Sequence, residues 1–185
     1  LGGGGANDKL MQAMDLLCNY QENMTGDFWK TRYKGIYRAN EVIESLPKLS
    51  VFDSDDQKNQ MIGEAYFLRA FYYYELASMY ENVPLITSTA TGNQNVPQAA
   101  VDSTWGQIAQ DLKTAINMMP DKKVTASWVE DGHVDKWCAE AMMGRAFLFY
   151  TGFYGKSEIA LNDGTKITKK DVIAWIDDCV NNSGY

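Results

Sequence analysis

Few residues in this chain could carry out chemistry, and their spacing limits what kind. A single histidine, His133, confines any histidine-based nucleophilic triad to its own surroundings and excludes histidine-rich metal sites. Cys18, Cys138 and Cys179 are odd in number and lack C-x-x-C spacing, so they suggest neither a disulfide framework nor a zinc site and read as small core residues. A glycosidase pair needs two carboxylates held across a cleft, roughly 5 Å or 6.5 to 9.5 Å apart. Glu130 and Asp131 are adjacent in sequence, so their side chains diverge. The chain therefore reads as a binder rather than an enzyme, with no catalytic residues, no metal and no cofactor.

Recognition chemistry remains. Trp128 lies in VTASWVEDGHVD, a polar stretch without periodicity, beside Glu130, Asp131 and His133. A flat apolar ring flanked by acceptors for hydroxyl groups has the make-up of a carbohydrate platform; the alternative is a hydrophobic plug over helix ends. Tyr20 and Asn23, in CNYQENMTG just before Trp29, suit the same ligand-binding role. Arg69 and Arg145 each sit inside an aromatic run, where a guanidinium must be met by a carboxylate or carbonyls from another helix. Both are expected to be buried structural charges rather than anion-binding groups. Tyr66, Tyr72, Tyr73 and Tyr80 recur at helical spacing and are expected to pack in a core rather than stack on sugars.

The elements that must position these residues are helices. From Trp29 a stripe of Trp29, Tyr33, Ile36, Asn40 and Ile43 opposes Lys30, Lys34, Arg38 and Glu41, which predicts an amphipathic helix ending before Pro47. Asn40 falls within the apolar stripe, so its amide is expected to bind a neighbouring backbone. Asp53 to Asp56 supplies N-cap chemistry for a second helix running to about Glu81, stopped by Asn82-Val83-Pro84. Its wheel places Arg69 inward and Glu64, Glu75 and Ser78 on the opposite face. A third helix starts near Ser103 and closes at Pro120, and a last amphipathic one runs from Thr168 to about Asn182.

Between them, EAMMGRAFLFY (140–150) aligns without a gap on EAYFLRAFYYY (64–74), giving Arg145 the position of Arg69. Each aromatic helix is followed by a polar loop and an amphipathic partner. Such pairs cannot bury their faces alone and stack into a solenoid. The fold class is all-α, a degenerate tetratricopeptide-like helical-hairpin solenoid, with residues 1–26 a partly helical N-terminal segment and 27–185 the helical domain. A net charge of −7 argues against nucleic acid, and Arg69 and Arg145 interrupt the two most hydrophobic segments, so neither can span a membrane. On these features alone a generic tetratricopeptide-type interaction module binding a peptide in its groove stays open.

Four patterns converge on one family: W-x3-Y-x2-I-x2-A-N-x-V-I from Trp29, E-A-x-F-L-R-A-F-Y-Y-x-x-L running into N-V-P-L from Glu64, W-x2-I-x2-D-L-x2-A from Trp105, and V-x7-V-N-N-S-G-Y from Val172. In order and spacing they resemble the SusD/RagB family of outer-membrane nutrient-binding lipoproteins of Bacteroidetes. The resemblance implies a cell-surface glycan-binding subunit that delivers an oligosaccharide or polysaccharide to a SusC-like TonB-dependent transporter. Its helices would form the scaffold and its loops much of the ligand surface. It also implies a membrane connection only through a lipid anchor not present in this chain, because Cys18 sits in an apparently helical segment and suits that role poorly. Family members are usually far longer, so the chain is expected to be the N-terminal part of a longer protein.

Overall fold

A computed structural model describes residues 25–91, 95–122 and 132–184. Helix α1 spans Thr25–Ser45 and passes into a 3-10 turn, Leu46–Lys48, as Pro47 removes a backbone donor. Helix α2, Asp55–Tyr80, starts where Ser54 Oγ accepts from the Gln57 amide at 3.1 Å, with Asp55 and Asp56 in the favourable first turn. Its end is marked by Glu81 at φ 64°, the only non-glycine residue with positive φ among those described. Helix α3 covers Val101–Met118. Helix α4, Lys136–Tyr154, is capped by Asp135, which accepts from the Cys138 amide at 2.8 Å, and by left-handed Gly155. Helix α5, Lys169–Asn182, opens on a capping box between Thr168 and Asp171.

Consecutive helices pack in chain order, α1 on α2, α2 on α3, α3 on α4 and α4 on α5. This is the all-α, tetratricopeptide-like stack that the repeat predicts. The inner helices α2, α3 and α4 are each covered on two flanks, and α2 and α4 are apolar around much of their circumference. Trp105, Tyr73, Leu76, Leu112 and Met143 fill the centre with no exposed surface. Cys138 and Cys179 are only partly buried, so they lie at the margin of the core rather than within it.

One element departs from the expected loop before α5. Strands β1, Glu158–Ala160, and β2, Lys166–Thr168, form an antiparallel hairpin that buries Ile159, Leu161 and Ile167 against α3 and α4. Alternation of buried and outward residues with an Asn-Asp-Gly-Thr turn is the hairpin signal, but the run is short and reads as polar. Its approach depends on Gly106 of α3, where a Cβ would stand 2.6 Å from the Ala160 carbonyl oxygen.

The two arginines do not occupy equivalent places. Arg69 is 4% exposed, and its guanidinium binds Asp111 of α3, Asn40 of α1 and the Thr87 carbonyl beyond α2, with Tyr66 below it at 5.3 Å. Asn40 also donates to the Ile86 carbonyl at 3.1 Å, and the Tyr73 hydroxyl donates to the same oxygen at 3.0 Å. The segment after Asn82-Val83-Pro84 is thus held by polar groups buried in the helix stack. Arg145, by contrast, is exposed, which corrects the expectation that it is a buried charge. Burial along α4 follows Ala139, Met143, Phe147 and Tyr150, matching Ala65, Arg69, Tyr73 and Leu76 of α2. The gapless motif alignment therefore does not carry the buried face of α2 onto that of α4: Arg69 is buried and Arg145 is not. Arg145 points to solvent.

Candidate functional site

Along one edge of the stack a cleft of about 630 Å³ opens between the first turns of α2 and the segments flanking the α3–α4 connection. The first three turns of α2 present Gln57, Gln60, Met61 and Glu64 on its wall, residues at i, i+3, i+4 and i+7 that share one helix face. Asp121 and Lys122 follow α3, and His133 precedes α4. The cleft brings three separate parts of the chain together.

Its inner wall is ordered by hydrogen bonds. Gln60, 7% exposed, donates to Glu64 Oε1 at 2.7 Å and to the Val134 carbonyl at 2.6 Å, which fixes the Glu64 carboxylate and ties α2 to the start of α4. His133 Nδ1 lies 2.9 and 3.1 Å from the two Glu64 oxygens. The His133 side chain is 48% exposed and that of Glu64 18% exposed, so both edges reach the opening. Met61 adds an exposed apolar surface beside them. Convergent donors and acceptors around an apolar patch are suited to a polyhydroxylated ligand, whose hydroxyl groups both give and accept hydrogen bonds. Among the described residues, no group of three or more His, Cys, Asp or Glu could hold a metal ion.

Of the residues singled out in the sequence, His133 lies in the cleft. Trp128, Tyr20 and Asn23 lie outside the described residues. Trp128 falls in the sequence between Lys122 and His133, both of which line the cleft. Arg69 belongs to the core network and Arg145 to the outer surface of α4; neither lines the cleft. Gln60 and Glu64 also line the cleft, and nothing in the sequence singles them out as site residues. Their i, i+4 spacing was visible, but such a pair on the polar face of a helix ordinarily reads as a solvated surface.

A family model described as "Starch-binding associating with outer membrane" matches residues 6–150. Two proteins of Formosa agariphila are similar to the chain: SusD-like protein P38, 31% identical over 90 residues that make up 47% of this chain and 17% of that protein, and SusD-like protein P2, 25% identical over 124 residues, 65% of this chain and 24% of that protein. The structure of a laminarin-binding SusD-like protein superposes with a TM-score of 0.70 at 30% identity, covering 82% of this chain and 32% of the other. The matched part of the chain spans less than a quarter of the length of either curated relative.

Proposed function

The chain belongs to the SusD-like family, and from that premise we propose that it forms part of a cell-surface protein that captures oligosaccharides and passes them to a SusC-like TonB-dependent transporter without chemically changing them. Capture of this kind needs no single tight contact, since holding ligand at a pore mouth raises its local concentration. The observation that carries the reading is the ordered Gln60–Glu64–His133 wall beside Met61 in the edge cleft. Trp128, joined through the chain to both rims of that cleft, is proposed as the stacking surface, and Tyr20 and Asn23 as further ligand contacts. A lipid anchor on the full-length protein would hold it at the outer membrane.

A solved relative that binds laminarin makes laminari-oligosaccharides the first probe. Isothermal titration of these sugars into the full-length protein is expected to show binding. Glu64→Gln and Trp128→Ala are each expected to weaken it roughly tenfold, a loss of about 1.4 kcal/mol. Co-purification with an outer-membrane transporter tests the delivery step. A panel of neutral, amino and uronic oligosaccharides with no binder among them would overturn the reading.

A further inference from the structure

A second cavity of about 560 Å³ lies on the same edge of the stack, and Pro120 and Asp121 border both. The second is formed by the end of α3, the start of α4 and the outward side of α5, and it carries Asn117, Lys136, Trp175 and Asp178. These are the components of a sugar subsite: a partly exposed indole for the apolar face of a pyranose, with an amide, an ammonium and a carboxylate around it. Its polar groups are held in place rather than free. Lys136, only 17% exposed, reaches Asp121 at 2.5 Å and Asp178 at 3.1 Å. Behind them Glu140, 1% exposed, borders the same cavity, with the Asp178 carboxylate and, at 3.7 Å, the Lys136 ammonium as its neighbours.

We infer that the two cavities are successive subsites of one track, which binds a single extended oligosaccharide running from the Gln60–Glu64–His133 wall across Pro120 and Asp121 to Trp175. This rests on the saccharide-capture reading above and extends it, because a ligand that fits one cavity would use only half of the surface. Each cavity is of the size that holds a small ligand by itself. A chain long enough to occupy both gains the second set of contacts without a second loss of translational freedom, so affinity should rise steeply with chain length.

Titration of laminaritriose and laminarihexaose into the full-length protein tests this. The hexaose is expected to bind one per chain and at least tenfold more tightly than the triose. Asn117→Ala, at an exposed position of α3, and Trp175→Ala are each expected to abolish that gain while circular dichroism reports an unchanged helical fold. The track is overturned if triose and hexaose bind equally, or if Asn117→Ala leaves the length dependence intact, and saccharide capture then still stands. Failure of both sugars, and of every other oligosaccharide tried, overturns the track together with the capture reading.

Discussion

Arg69 of α2 and Asp111 of α3 meet fork to fork, Nε donating to Oδ2 at 2.8 Å and Nη2 to Oδ1 at 2.7 Å, with side chains only 5% and 1% exposed. The remaining nitrogen of the guanidinium donates to Asn40 Oδ1 at 2.9 Å and to the Thr87 carbonyl at 3.2 Å. One cation thus fixes α1, α2, α3 and the extended segment after α2 relative to one another. Asp111 also accepts from Gln107 at 2.8 Å, so few lone pairs are left without a donor.

Arg69→Met removes the cation and leaves a buried carboxylate. It is expected to lower unfolding free energy by about 3–5 kcal/mol, read as a shift of the urea midpoint. Adding Asp111→Leu is expected to recover most of that loss, because an uncompensated charge costs far more than an absent pair. A single substitution indistinguishable from wild type would contradict the role given to Arg69.

Arg145 makes the opposite case. Its side chain is exposed, so Arg145→Ala is expected to change stability by no more than about 0.5 kcal/mol in the same urea measurement. The contrast also marks what could be read from sequence. Helix boundaries, the inward direction of Arg69 and the need of Asn40 for a backbone partner follow from local periodicity and polar bookkeeping, both of which act within a few turns. The buried face of each repeat is decided by which residues meet a neighbour, and a six-residue identity put Arg145 on the wrong face. The cleft was hidden for a related reason: Gln60, Asp121 and His133 are distant in sequence, and only the stacking of α2 on α3 and α3 on α4 brings them to one edge.

Gly106→Ala tests the docking of the hairpin. A methyl group there would enter the space of the Ala160 carbonyl, a backbone atom with little freedom to retreat, and would crowd Asn162, which donates to the Ser103 carbonyl and to Gln107. Overpacking of this kind costs typically 1–3 kcal/mol. The expected signature is local: faster hydrogen exchange at the amides of Ile159 and Ile167, with those at the centre of α2 little affected. Unchanged exchange in the hairpin would show that α3 can shift to admit the methyl group.

Glu140 gives a dependence on pH whose direction is fixed by its surroundings. Burial, the neighbouring Asp178 carboxylate and, more weakly, Asp121 push its carboxyl up to about 8, while Lys136 at 3.7 Å pulls the other way. Asp178 itself is held below the usual carboxylate range by Asn182 and Lys136, so the proton resides on Glu140. The folded protein therefore binds a proton that the unfolded chain releases near pH 4.5. Between that value and about 8 the unfolded state holds fewer protons than the native one, so this group's contribution to stability is full below the interval, falls as pH rises through it and is lost above it. Glu140→Gln keeps the shape of the neutral acid and cannot ionise. It is expected to raise the melting temperature at pH 8.5 by several degrees, on the order of 2–4 °C for each kcal/mol relieved, and to change it little at pH 4.5. Thermal melts of the two proteins across this range check the assignment, and parallel curves would mean that Glu140 is ionised throughout.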